Sequence, residues 1–149
     1  MRVEGLSFAV QGRDIVHDVS LHVRSGQVTC LLGPSGCGKS TTLRMIAGVE
    51  RQDGGRVTLD GRCLSDGRHH LPPEDRRIGL IFQDFALFPH LSVAQNVGFG
   101  LSGSKAEREA RVAETLDRVH LAPFAKAMPH ELSGGEQQRV ALARSIAPK

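Results

Sequence analysis

The sequence has few cysteines, no long apolar run and no block of like charge. Cys30, Cys37 and Cys63 are odd in number and form no C-x-x-C pair, which argues against a disulfide framework and against a zinc site. That usage fits a reducing compartment. The longest apolar stretch is a few residues, far short of the roughly 20 that cross a bilayer. The opening MRVEGLSFAV lacks the charged-then-apolar order of a secretory leader. Nineteen Lys and Arg face 16 Asp and Glu, a formal charge of +3. With no run of five or more basic residues, charge alone gives no ground for a nucleic-acid partner. Internal repeats and low-complexity tracts are also absent. What remains is 149 residues, 40% apolar and 23% charged, an ordinary globular composition in a chain long enough to bury a core without staples. The seventeen glycines are the unusual feature, and several stand where phosphate chemistry would use them.

The first thirty residues read as strands, over Val3–Val10 and Ile15–Val23, separated by the turn-like Gln11-Gly12-Arg13-Asp14. Gln27–Leu32 has the apolar run of a buried strand. Ser40–Gly48 reads as a helix with Leu43, Ile46 and Ala47 on one face. Arg56–Leu59 reads as an edge strand ending in Asp60-Gly61, and Arg62–Leu71 as a loop in which His69-His70 is solvated. Pro72-Pro73 is a break, and Ile78–Phe82 is a second candidate for a buried strand. Ser92 is the expected N-cap of a helix over Val93–Leu101, and Ser104 of one over Lys105–Val119 with Ala110, Ala113, Leu116 and Val119 as its inner stripe. Pro123 and Pro129 bracket a loop. Ser133, with Glu136 three residues on, opens a last helix to about Ile146.

Gly33-Pro34-Ser35-Gly36-Cys37-Gly38-Lys39-Ser40 matches G-x-x-x-x-G-K-[ST] between an expected strand and an expected helix. Small residues let the backbone wrap a phosphate without Cβ collisions. Successive N–H groups then converge at a helix N-terminus. Lys39 supplies a point charge for the β- and γ-phosphates, the Ser40 hydroxyl is placed to ligate Mg²⁺, and Thr41 adds a contact to the α-phosphate. Cys37 inside the loop reads as a small residue that fits. The alternative is a glycine-rich turn that only joins two elements. The motif implies a nucleoside triphosphate with Mg²⁺ but not which class of protein uses it.

The run Leu132-Ser133-Gly134-Gly135-Glu136-Gln137-Gln138-Arg139 places a second set of unpaired N–H groups at a helix start. A capping box accounts for Ser133 and Glu136 by itself, and both roles are compatible. One explanation for a second anion site is a phosphate held by another subunit. LSGGEQQRVALAR resembles the signature of the ATP-binding cassette (ABC) ATPases. That resemblance implies an α/β P-loop cassette: N-terminal antiparallel strands, a parallel core sheet and a helical subdomain. It also implies ATP hydrolysis and head-to-tail pairing with a second cassette, so that Leu132, Ser133, Gly134, Gly135, Glu136 and Gln137 face the partner's ATP.

Phe82-Gln83-Asp84 matches the Q-loop of that family, which gives Gln83 a place beside Mg²⁺ and the attacking water. The segment IGLIFQDFALFPHLSVAQNVGFGL makes the match specific. Phe85, Leu87, Phe88, Pro89 and Leu91 form an apolar cluster there, corresponding to the surface that receives a coupling helix from a membrane subunit. Packing within the helical subdomain is the plainer use of the same side chains. The family's adenine-stacking aromatic falls at Val10, counting back from Asp18-Val19-Ser20-Leu21. Valine gives apolar contact without stacking, and Phe8 lies two residues away on the same face of an extended strand.

The resemblance divides the chain into a nucleotide-binding core (1–82), a Q-loop with helical subdomain (83–132), and the signature with its helix (132–149). It covers the N-terminal part of a cassette. The family's later strand ending in Asp-Glu, its D-loop and its switch His are not within the 149 residues, and Asp84, His90 and His130 are no substitutes. The 149-residue chain is therefore expected to be inactive, and marginal in stability through an unpaired strand edge. The parent protein is expected to be the ATPase subunit of a bacterial importer, peripheral on the cytoplasmic face of the membrane. Its expected partners are permease subunits and a substrate-binding protein, without nucleic acid. The loop Arg62–Leu71 leans toward ferric iron as cargo. A truncated nucleotide-binding remnant and a soluble, non-transport ABC ATPase are the alternatives.

Overall fold

The computed structural model describes residues 1–148. They form two compact units, Met1–Leu80 and a second beginning at Ile81.

The first unit carries β1 (Arg2–Val10), β2 (Arg13–His22), α1 (Lys39–Ala47), β3 (Gly54–Leu59), β4 (Arg62–Ser65) and α2 (Pro73–Arg76). The strands make one sheet in the order β2-β1-β3-β4, every pair antiparallel. Val3 stands opposite Leu21 on one side and Val57 on the other. Val3, Leu6, Val16 and Val57 thus turn one apolar face toward Met45 and Ile46 of α1, with Leu64 completing the cluster. Each such side chain contributes about 1.5–3 kcal/mol when fully buried.

Several sequence expectations change here. β3 is interior, and the edge strand is β4, in the segment expected to be a loop. Asp60 and Gly61 both have positive φ (50° and 80°), the geometry of a two-residue hairpin turn, and Ser65 bridges on to His70. Gln27–Leu32 and Ile78–Phe82 are not strands. A strand exists only by pairing, and no described strand pairs with either segment. Val28 and Leu32 accordingly stand 93% and 90% exposed. No parallel pair occurs among the described residues. Leu43 is exposed, and Thr42, Met45, Ile46 and Ala47 are the buried side of α1. The Pro72-Pro73 break is a helix start, with Pro73 at the first helical position, where its missing N–H costs nothing.

The second unit is helical: α3 (Val93–Gly98), α4 (Lys105–Arg118) and α5 (Gly134–Ile146), with single 3₁₀ turns at Ala122–Phe124 and Pro129–Glu131. All three helices open on reciprocal capping boxes, Ser92 with Gln95, Ser104 with Glu107, and Ser133 with Glu136. Each box satisfies two backbone donors that a helix start leaves unpaired. The core joins Val93 and Val97 of α3, Leu116 and Val119 at the end of α4, and Val140 and Ala143 of α5, with Leu121 and Leu132 from the connections. On α4 the inner stripe is Val112, Thr115, Leu116 and Val119. Ala110 and Ala113, expected inside, are exposed, because α4 meets its neighbours along one side only.

Candidate functional site

The phosphate loop occupies Gly33–Gly38 and runs directly into α1. Its geometry follows from two glycines and one lysine. Gly38 is the N-cap, with φ 86° and no side chain to cap the helix. A Cβ there would sit 2.5 Å from the Ile15 carbonyl oxygen and 2.9 Å from Val16 Cγ2, so the loop lies flush against β2. Gly36 also has positive φ (80°), yet a Cβ on it would meet nothing within 4 Å. The Lys39 ammonium donates to the carbonyls of Gly33 (2.8 Å) and Pro34 (2.6 Å), and Cys37 Sγ lies 3.6 Å away. This holds the charge across the loop. The amides of Lys39 and Ser40 have no acceptor among the described residues. A cavity of about 290 Å³ opens over them, lined by Ile15, Gly36, Gly38, Lys39, Ser40 and Thr41. Ser35, Gly36 and Cys37 form an exposed turn. Val10 ends β1 and is 46% exposed. Phe8, two residues earlier, packs against the core.

The far end of α1 is tied down by Arg76, which sequence reasoning missed. It is 1% exposed. Its Nη1 donates to the carbonyls of Met45 (2.9 Å) and Ile46 (3.0 Å), and Nε donates to Leu71 (2.8 Å). A buried cation at a helix C-terminus faces the negative end of the helix dipole, and burial pushes its pKa below the usual arginine range. His70 is not solvated as expected. Its Nδ1 accepts from Arg76 Nη2 (3.2 Å) and its Nε2 donates to the Gly48 carbonyl (3.2 Å). Burial first, then the Arg76 charge, holds its pKa below the usual histidine value. His69 and His70 belong to no metal-binding group among the described residues.

In the second unit, the start of α5 separates the signature residues by use. Leu132 is buried in the core. Gln137 Nε2 donates back to the carbonyls of Pro129 (3.0 Å) and Leu132 (3.3 Å). The Glu136 carboxylate accepts from the Ser133 hydroxyl (2.6 Å) and amide (2.8 Å), and these bonds hold its pKa below the usual carboxylate range. What faces outward is Ser133 with Gly134 and Gly135. A Cβ on either glycine would meet nothing within 4 Å. Glycine in a helix costs about 1 kcal/mol relative to alanine, and no packing among the described residues requires it at either position.

Gln83 and Asp84 are exposed in a turn. The residues after them, Phe85 and Ala86, have φ 61° and 44°, unusual for residues with side chains. From α5, Arg144 donates to both of their carbonyls, Nη2 to Phe85 (3.0 Å) and Nη1 to Ala86 (2.8 Å). Its guanidinium also lies 5.2 Å from the Phe88 ring centroid. Asn96 of α3, fully buried, donates to the carbonyls of Phe88, Leu91 and Ser92 and accepts from the Phe88 amide. Sequence reasoning missed both side chains. Asn96 was findable, since it lies three residues after Val93 and beside Val97 on the inward face, where an amide must be satisfied. Of the expected apolar cluster, Leu87 packs on the core and Phe88 stacks against Phe99 with centroids 4.3 Å apart. Pro89 is exposed. Phe99, 64% exposed, lines an apolar groove of about 750 Å³ between α3 and α4, with Ala94, Gly98, Val112 and Leu116.

A glycine loop wrapped on a helix start, with a lysine across it and a hydroxyl beside it, defines a P-loop nucleotide-binding domain. The chain belongs to the ABC transporter family, whose profile matches residues 16–149; it is an ATP-binding domain with the cassette fold. It is 52% identical over 139 residues to the Fe(3+) ions import ATP-binding protein FbpC of Pseudomonas fluorescens, covering 93% of this chain and 39% of that protein. It is 49% identical over 152 residues to the putrescine transport ATP-binding protein PotG of Escherichia coli, covering 100% of this chain and 39% of that protein. The chain thus spans about two fifths of the length of these curated relatives. A solved dimer of the ATP-binding cassette MJ0796 in a post-hydrolysis state, bound to ADP and Pi, superposes with a TM-score of 0.81 at 31% identity, covering 98% of this chain and 68% of that one. No helix among the described residues is long and apolar enough to cross a membrane.

Proposed function

We propose that this chain is the nucleotide-binding part of the ATPase subunit of a bacterial ABC importer. In this reading Gly33–Thr41 holds ATP, with the phosphates on the loop amides and Lys39, and Val10 gives the base apolar contact. The open Gly36 and the Ser40 hydroxyl beside the cavity suit a triphosphate with its magnesium ion. Ser40 would hold that ion, which would supply charge neutralisation at the β- and γ-phosphates. Lys39 stabilises charge that develops on the γ-phosphate, and Gln83 is the Q-loop glutamine of this reading. The core (1–82), the Q-loop with helical subdomain (83–132) and the signature helix (132–149) are its working parts. Permease subunits would dock on the surface around Phe99 and the Gln83 turn, at the cytoplasmic face of the membrane, with a substrate-binding protein completing the system.

The observation that carries the reading is the Gly134-Gly135 pair. Two glycines that no packing among the described residues requires, on exposed N–H groups at a helix start, suit the close approach of a phosphate held by a second copy. Ferric iron and polyamines are both candidate cargoes. The near-equal identity to an iron relative and a putrescine relative gives no ground for choosing between them.

ATP with Mg²⁺ is expected to convert the full-length protein from monomer to dimer in light scattering. Ser133→Arg is expected to abolish that conversion while leaving ATP binding intact. A dimer that forms equally without ATP, or equally in the Ser133→Arg variant, would refute the reading. The 149-residue chain alone is expected to release no phosphate above background, since no carboxylate in it matches the family's general base. Turnover on the order of 1 s⁻¹, lost in Lys39→Ala, would contradict that.

A further inference from the structure

We propose that Arg144 is a positioning residue that locks the turn after Gln83 to the signature helix, so that the two functional ends of α5 move as one body. This rests on the ABC ATPase reading above. Phe85 and Ala86 are consecutive residues with side chains in the left-handed region, which L-residues with a Cβ disfavour. Such a turn persists only when its surroundings over-determine it. Both carbonyls of this turn point at one guanidinium, which answers them with two separate N–H groups at 3.0 and 2.8 Å. The planar fork makes that two-point grip in a way an ammonium cannot. The Phe88 ring covers one face of the guanidinium, 5.2 Å from centroid to Cζ, and the half-buried setting of the side chain favours the hydrogen bonds it makes.

The lever is α5 itself. Arg144 lies eleven residues past Ser133, about 16 Å along the helix at 1.5 Å per residue. Helix α5 is anchored between these ends by Val140 and Ala143 in the core, so it behaves as a rigid rod. One end presents Ser133 and the two open glycines. The other grips the turn that carries Gln83 two residues before Phe85. Asn96 fixes the downstream side of the same turn, through Phe88 and Leu91. Displacement of the signature end by a phosphate is thereby transmitted to the backbone beside Gln83.

The test uses the full-length protein, with amide hydrogen exchange and ATP turnover read separately. Arg144→Met is expected to speed exchange at residues 84–88 about tenfold and to lower kcat about tenfold, with the KM for ATP within about twofold of wild type. Arg144→Lys, which keeps charge and stem, is expected to fall between. The decisive variant adds Ala86→Gly to Arg144→Met. Glycine removes the left-handed cost at one of the two positions, so exchange slows again and at least about threefold of the lost kcat returns. A role in helix packing alone would not be rescued by a glycine 58 positions away. Unchanged exchange at 84–88 in both Arg144 variants overturns the clamp. Faster exchange with unchanged kcat overturns the coupling. A wild-type protein without turnover overturns the ATPase reading instead, whatever the exchange result.

Discussion

Gly38→Ala is expected to weaken ATP binding by the full-length protein about 100-fold, whereas Gly36→Ala costs less than about tenfold, although both residues have positive φ. The difference lies in what surrounds them. At Gly38 a methyl group would lie 2.5 Å from the Ile15 carbonyl and 2.9 Å from Val16 Cγ2. The carbonyl belongs to the backbone of β2, between Asp14 and Val16 that both pair with β1, and cannot swing aside as a flexible side chain would. Either β2 bends or the helix start retreats, and in both cases the amides of Lys39 and Ser40 lose their common direction. At Gly36 the same methyl meets nothing within 4 Å, so only the conformational cost remains. Isothermal titration with ATP distinguishes the two. Equal losses at both positions would mean that backbone strain alone governs the loop.

Arg76→Met is expected to destabilise the protein by about 3 kcal/mol or more, since each buried acceptor left unpaired costs about 1–3 kcal/mol. The carbonyls of Ile46 and Leu71 and His70 Nδ1 lose donors, and the Met45 carbonyl keeps only the Gly48 N–H. Methionine fills much of the arginine stem's volume, so the loss reports the hydrogen bonds more than a cavity. Urea unfolding measures it, and exchange of the α1 amides localises it. A cost below about 0.5 kcal/mol, the scale of a surface substitution, would show that the guanidinium does not hold the helix end.

The parts most legible in the sequence were those whose chemistry is local. The three Ser-led helix starts and the first hairpin need only neighbours within a few residues, and each is where its spacing implied; the phosphate loop runs into its expected helix but follows no strand. The Asp60-Gly61 hairpin was legible too, but the polar stretch after Leu64 masked the four residues of β4. Gln27–Leu32 and Ile78–Phe82 were misread for a different reason. An apolar run records a tendency to be buried, while a strand is a relation to a second strand. Arg76, buried, and Arg144, half-buried, were invisible because charged side chains are rarely taken out of water. Most of their partners are helix and turn carbonyls 30 to 59 positions away in sequence, which leave no pattern in residue type. The signature run showed its capping box in sequence, but only the structure separates Leu132, Glu136 and Gln137, turned inward or tied back, from the outward Ser133, Gly134 and Gly135.

The most direct test mixes two disabled full-length variants, Lys39→Ala and Ser133→Arg. If each nucleotide is held between the phosphate loop of one copy and the signature of another, neither variant alone has an intact site. A mixed dimer has one, formed by the intact loop of one chain and the intact signature of the other. With random pairing, about a quarter of the wild-type sites are restored. Phosphate release is expected to return in the mixture to about that level, and ATP-dependent dimerisation to return with it. A mixture as inactive as its components, from variants that remain folded and able to pair, would contradict a site shared between two copies.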